Sequence, residues 1–282
     1  MEHNMNISAR KPRPGVGRGR EPRIAMTAVT TIDRGQLLRN LRREVSGIER
    51  ASGRDRPGIA ARPDEAAAGP GPIAEWVRGA HEIRSAGENH RGAATGFALA
   101  LAAARGGKLV WITSRRAAGE GGAPHGPGIA AFGLDPDGVF VLVLDKPVDT
   151  LIGAEEALAC SALGTVLLEV EGDPAALDAT AARRLKLRAA ESGIALLVAR
   201  HAARGDGLPL DRRWRVAAAP SVAEGRGLLG LPAFAATLEK NRLGPIGHHD
   251  IVWSSHDRVF LPARRLPVDP LRAPRARPAR AA

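Results

Sequence analysis

The chain has 282 residues, 44% of them hydrophobic, and a formal charge of +11. This length predicts one main domain with a core of about 200 residues and further segments at the ends. The longest apolar run, residues 93–104, is far shorter than the roughly 18 to 20 residues that a membrane span requires, so no membrane protein is expected. A single cysteine, Cys160, excludes an intramolecular disulfide, and a cytoplasmic protein is therefore predicted.

The positive charge is concentrated at the two ends of the chain. Residues 1–70 hold 14 Lys/Arg and 8 Asp/Glu, and residues 258–282 hold 7 and 1, so the ends carry +12 and the middle about −1. Basic tails neutralise nucleic-acid phosphates, but they bind any acidic partner as well. DNA contact through the tails is one expectation, and contact with an acidic partner or a gain in solubility is the other.

The composition changes several times before the main domain begins. Residues 1–31 are rich in Arg, Pro and Gly and are predicted to be a disordered basic tail, as are the Arg- and Pro-rich residues 261–282. Between them we expect a helix within 32–53, a linker over 54–72 and a core domain over 73–260. The helix has an apolar stripe that rests either on the main domain or on a partner protein: Leu38, Leu41, Val45 and Ile48.

The central region alternates short apolar runs with longer helical patterns. Strands are predicted at 80–84, 108–113, 139–144, 165–170 and 194–199, with helices at 94–105, 127–132, 148–161 and 177–192. Apolar strands separated by helices are typical of a parallel sheet covered on both faces, so an α/β fold is expected. After residue 205 the pattern favours an antiparallel extension with strands at 213–218, 234–239 and 250–254.

A degenerate phosphate-binding loop follows the first predicted strand. Gly87 and Gly92 keep the spacing of such a loop between a strand and a helix. Ala93 stands where the phosphate-binding Lys belongs, and Ala94 where the magnesium-binding Ser or Thr belongs. Because Glu88 adds a negative charge at the same place, we expect no bound nucleotide and no cofactor.

Several motifs then occur in the order found in one family. The similarity covers about residues 33–260 and includes the helix at 37–50, the strand at 213–216 and the segment 240–245. It is clearest in PGIAAFGLDPD (127–137), AEEAL (154–158) and LDATAARRLKL (177–187). These stretches resemble ImuA, a RecA-related protein of bacterial inducible mutagenesis. The resemblance implies a RecA-like core, with a mainly parallel sheet and an antiparallel C-terminal extension. It also implies an accessory role in translesion synthesis beside an ImuB-like protein, an error-prone replicative-type polymerase and RecA.

The catalytic acids of an active RecA-type ATPase are also changed. Where a water-activating acid follows the second strand, this chain has Arg115 and Arg116. Glu169 or Glu171 remains at the end of the fourth strand, and both are interpreted as solvent-facing residues without a catalytic role. The prediction is a protein that is not an enzyme. An active RecA-type ATPase and a damage-induced inhibitor of cell division, or another binding module, are the alternatives.

Lys240 and Arg242 resemble the segment with which RecA-like proteins reach the nucleotide of a neighbouring subunit. We expect them to contact a partner's phosphate, or else to lie in a solvated turn.

Candidates for single-strand DNA binding are two tryptophans, Trp214 and Trp253, and four basic residues: Arg200, Arg204, Arg212 and Arg213. His248, His249, Asp250 and His256 are close in sequence. Adjacent histidines on a strand point to opposite faces, so at most one of His248 and His249 could join a site with Asp250 or His256, and a surface hairpin is expected and not a metal site.

Overall fold

The computed structural model describes residues 76–221, 230–242 and 244–263, together with Arg43. Its centre is one sheet, whose nine strands are β1 (Ala80–Ser85), β2 (Lys108–Ser114), β3 (Val139–Leu144), β4 (Leu163–Glu171), β5 (Ala195–His201), β6 (Arg212–Ala218), β7 (Ala233–Asn241), β8 (Gly247–Ser254) and β9 (Val259–Pro262).

Five α-helices connect the strands: α1 (Arg91–Arg105), α2 (Arg115–Gly121), α3 (Gly126–Ala131), α4 (Pro147–Ala157) and α5 (Ala179–Ser192). Two 3-10 turns cover Glu88–His90 and Pro136–Gly138. Side chains at the N-caps begin two of the helices, since Ser114 accepts a hydrogen bond from Ala117 N and Asp178 accepts one from Ala181 N. No helix of the described residues is long and apolar enough to cross a bilayer.

The order of the strands divides the sheet into two parts. The order is β3-β2-β4-β5-β1-β6-β7-β8-β9. The first six strands of this spatial order, β3 through β6, pair in parallel. The pairs β6–β7, β7–β8 and β8–β9 are antiparallel. The prediction of a mainly parallel α/β sheet with an antiparallel C-terminal extension is therefore confirmed.

The core lies in two layers because successive residues of the buried strands point to opposite faces. On one face, Leu168 and Val198 pack with the helices α4 and α5. On the other face, Leu167 and Leu197 pack with α1. The second layer also contains a ring group, in which aromatic side chains pack against one another: Trp76, Phe97, Trp214, Phe234, Trp253 and Phe260.

Most predicted elements are present, with shifts at their ends. Helix α2 and strand β9 were not predicted, and β9 crosses residue 260, where the core domain was expected to end. Cys160 was expected on a helix but follows the end of α4, and it is fully buried. The predicted tail 1–31, linker 54–72 and apolar stripe of 38–48 lie outside the described residues. Arg43, within the predicted helix, is helical and exposed.

Strand β4 begins two residues before its predicted start, and a bulge lies in these first residues. Lys108 pairs with Leu163 and Leu109 with Thr165, so Gly164 is the extra residue. A Cβ at Gly164 would collide with the carbonyl oxygen of Gly106, which explains why a glycine is found there.

Candidate functional site

The predicted phosphate loop lies between β1 and α1, as expected, but its backbone does not form a cradle. Glu88–His90 is a 3-10 turn, closed by a hydrogen bond of 3.0 Å from His90 N to Gly87 O. Gly87 is extended at φ −175°, a conformation open to any residue, and a Cβ at Gly92 would meet nothing within 4 Å. A Cβ at Gly87 would lie 3.1 Å from Asn89 Oδ1, a tight contact, so the available space favours glycine at 87, whereas position 92 has room for any side chain.

The side chains of the two alanines in the loop also pack toward the core. Ala94 is fully buried in the core layer that contains α1, and Ala93 packs partly against the same layer. Both residues thus belong to the packing of the first helical turn. They offer neither a cation nor a hydroxyl to a nucleotide.

An arginine of the same turn makes an ion pair across the end of the sheet. Arg91, the first residue of α1, donates from Nη2 to Glu171 Oε2 at the end of β4. Both side chains are largely buried, at 17% and 10% exposure. The carboxylate that was expected to face solvent is therefore bound by the chain's own cation.

Glu169 is the centre of a second polar group at this carboxyl edge. Its Oε1 accepts hydrogen bonds from Thr95 Oγ1 at 3.1 Å and His201 Nε2 at 2.9 Å, and its Oε2 accepts one from Trp111 Nε1 at 3.1 Å. Burial would raise the pKa of Glu169, but the hydrogen bond and charge of His201 and the hydrogen bonds from Thr113 and Trp111 lower it below its ordinary value. The expectation that Glu169 faces solvent was wrong, because it is 6% exposed.

Three buried polar atoms around this edge have no hydrogen-bond partner within the described part of the chain: Ser85 Oγ, Arg91 Nη1 and His201 Nδ1. Ser85 follows Arg84, which pairs with Arg200, so Ser85 and His201 are neighbours on adjacent strands and point to the same face. A water is the usual partner of such atoms.

Glu82 organises the opposite face of the sheet. This fully buried carboxylate on β1 binds Arg200 and also accepts hydrogen bonds from Arg213 Nε at 3.0 Å and Leu208 N at 2.7 Å. Arg200 also binds Asp173, whose Oδ2 accepts the backbone N–H groups of Arg204 and Gly205. These hydrogen bonds and ion pairs hold the loop after β5 against three neighbouring strands, β5, β1 and β6.

Burial contradicts several of the predicted DNA contacts. Arg200 and Arg212 are 3% and 1% exposed, and Arg212 donates to Arg78 O, so neither can face DNA. Trp214 and Trp253 are fully buried and cannot stack on bases. Among the predicted basic residues, Arg204 is exposed and Arg213 is half-buried against Glu82.

Lys240 and Arg242 lie at the end of β7, next to the start of β6. Arg213 pairs with Lys240, and Arg242 N donates to Asp211 O at 3.0 Å. Their contact with a partner's phosphate stays a prediction. The two histidines of β8 point to opposite faces: His248 is exposed, with its Nε2 3.0 Å from Asp250 Oδ1, whereas the half-buried His249 packs its ring against Trp76. The described residues contain no group of three or more His, Cys, Asp or Glu that could hold a metal ion.

The sequence was compared with known proteins. No family model matches it, and no curated protein does either.

Proposed function

We propose that this chain is a RecA-like accessory protein without catalytic activity, acting in SOS-induced translesion DNA synthesis and mutagenesis. It would act through contacts with an ImuB-like protein, an error-prone replicative-type polymerase and RecA. The proposal combines the motif resemblance over residues 33–260 with the chemistry at the carboxyl edge of the sheet.

The arrangement of the sheet supports the RecA-like part of the proposal. A parallel sheet with helices on both faces continues into antiparallel strands β7–β9, as the resemblance implies. The degenerate loop follows β1, and the two remaining carboxylates lie on β4, two strands away. Ligand sites of open α/β sheets lie at this carboxyl edge.

One observation carries the absence of catalysis: the groups that would serve a nucleotide are missing or already bound. Ala94 is buried in the core and Ala93 packs against it, Glu171 binds Arg91, and Glu169 accepts hydrogen bonds from Thr95, Trp111 and His201. Phosphoryl transfer depends on a Lys and a metal to neutralise the phosphates. With Ala93 in place of the Lys, and with both carboxylates bound by the chain's own side chains, this site offers neither the Lys nor a free ligand for the metal.

Three measurements test the proposal. Titration calorimetry with MgATP should give no binding in the micromolar range, and purified protein should release no phosphate from ATP. Co-expression with the ImuB-like protein of the same organism should yield a complex that survives gel filtration. Micromolar MgATP affinity would contradict the loss of nucleotide chemistry, and the absence of a complex would contradict the accessory role.

A further inference from the structure

Four basic residues come together near Asp211, where β6 begins and β7 ends. We define them as the cationic cluster: Lys186, Arg213, Lys240 and Arg242. Strand pairing joins Arg213 to Lys240, and Arg213, Arg242 and Lys186 all act on Lys240 electrostatically. Arg183 lies one helical turn before Lys186, on the same side of α5, and extends the positive surface.

The acids close to this cluster are already engaged. Asp211 Oδ1 lies 2.5 Å from Lys186 Nζ, and Asp211 Oδ2 accepts a hydrogen bond of 3.2 Å from Ala80 N. Glu82 is buried and shared between Arg200 and Arg213. The side chains of Lys240 and Arg242 make no hydrogen bond or ion pair with any residue of the described ranges. The cluster therefore keeps uncompensated positive charge.

The electrostatics of Lys240 agree with this geometry. Burial lowers the pKa of Lys240, and repulsion by Arg213, Arg242 and Lys186 lowers it further, against a smaller opposing effect of Glu82. Holding like charges together in this way costs stability, and a bound anion would relieve the repulsion.

We propose that the cationic cluster binds the sugar-phosphate backbone of nucleic acid without reading its sequence. Interfaces with nucleic acid are polar and strongly positive, whereas the hot spots of protein interfaces are enriched in Trp and Tyr as well as Arg. The exposed large hydrophobic side chains of the described residues are five aliphatic residues, with no aromatic ring among them. The chain as a whole carries +11, most of it in the two ends, and a polyanion also interacts with that charge.

The inference goes beyond the proposed function and does not depend on it. It gives Lys240 and Arg242 a phosphate partner in nucleic acid, where the sequence had suggested a neighbouring subunit's nucleotide. The cationic cluster also takes the place of the buried Arg200 and Arg212 as the candidate DNA contact. Loss of binding to the nucleic-acid backbone would leave the outcomes of the tests with MgATP and the ImuB-like protein unchanged.

The test compares two double variants of the full-length chain that remove equal charge. Lys240→Gln/Arg242→Gln alters the cluster. Arg116→Gln/Lys146→Gln alters two exposed cations near the ends of β2 and β3, which also have no side-chain partner among the described residues. Affinities for fluorescein-labelled 30-nucleotide single strands of two unrelated sequences are measured by anisotropy between 50 and 200 mM salt. Melting curves check that each variant is folded.

We expect the cluster variant to bind both strands at least about tenfold more weakly and its salt dependence to flatten by about 1 to 2 in slope. The control variant and the charge-preserving Lys240→Arg/Arg242→Lys variant should bind within about twofold of wild type. Equal loss in the control, no loss in the cluster variant, or a loss confined to one sequence would overturn the proposal. So would a poly-glutamate probe that loses affinity while both DNA strands keep theirs, since that pattern indicates an acidic protein partner.

Discussion

His81 is a fully buried imidazole on β1 with partners on both ring nitrogens. Its Nε2 lies 2.7 Å from Arg78 O, to which it donates, and its Nδ1 accepts from Trp214 Nε1 at 3.2 Å. This arrangement requires the neutral ring. Burial, followed by the charge of Arg212, lowers the pKa of His81 to about 4, against opposing effects of Arg78 O and Asp211.

The consequence is a loss of stability in mild acid. Between the ordinary His pKa of about 6.5 and the folded value, the unfolded chain binds the proton and the native fold does not, so the free energy of unfolding falls as pH falls across this window. The full shift corresponds to about 3 kcal/mol. Urea unfolding at pH 7, 6 and 5 measures the part of this loss that falls above pH 5. His81→Gln, whose amide can keep both hydrogen bonds, should flatten the dependence, and an equal slope in the variant would contradict the assignment.

Glu82 gives a second prediction for a single residue. Glu82→Gln removes the fully buried one of Arg200's two counter-charges and weakens the bond to Arg213, so the free energy of unfolding should fall by about 3 to 5 kcal/mol. The matched control is Glu239→Gln, which breaks the surface pair with Arg215 at 3.0 Å and should change stability by about 0 to 1 kcal/mol. Urea unfolding at pH 7 compares the two. Similar losses in both variants would show that Glu82 is not the centre of the network.

At the scale of elements, the sequence predicted strands well because buried parallel strands are continuous apolar runs. It could not predict the register between strands, and the polar network depends on register. Arg200 and Glu82 are separated by 118 residues along the chain, and they meet because β5 lies next to β1. Arg200 therefore looked like a free cation in sequence. Glu169 and His201 meet in the same way, through the pairing of β4 with β5.

The loop between β1 and α1 gives a prediction at the same scale. Restoring the two lost residues, as Ala93→Lys/Ala94→Ser, should not restore ATP hydrolysis. Position 94 is buried in the core, the preceding turn is a 3-10 turn, and Glu169 and Glu171 are already bound. Phosphate release and MgATP calorimetry on a variant that melts cooperatively provide the check. Hydrolysis by the double variant would mean that the rest of the nucleotide site is intact.

At the scale of the molecule, the basic ends carry most of the net charge. Removing residues 1–31 and 264–282 takes away 12 Lys/Arg and 3 Asp/Glu, which lowers the net charge from +11 to +2. Both core layers lie within residues 76–260, so we expect stability to change by no more than about 0.5 kcal/mol. Elution from heparin should shift to lower salt. A truncated chain that no longer unfolds cooperatively would place part of the core outside this range.

The ring group around Trp214 has a practical consequence for spectroscopy. The chain has four tryptophans and no tyrosine, and Trp76, Trp111, Trp214 and Trp253 are all buried, at 6% exposure or less. Ultraviolet emission therefore comes from indoles inside the core alone, and its red shift reports unfolding directly. Because no indole is exposed, binding at the surface should change emission little, and the same signal can separate a ligand that docks from a variant that unfolds.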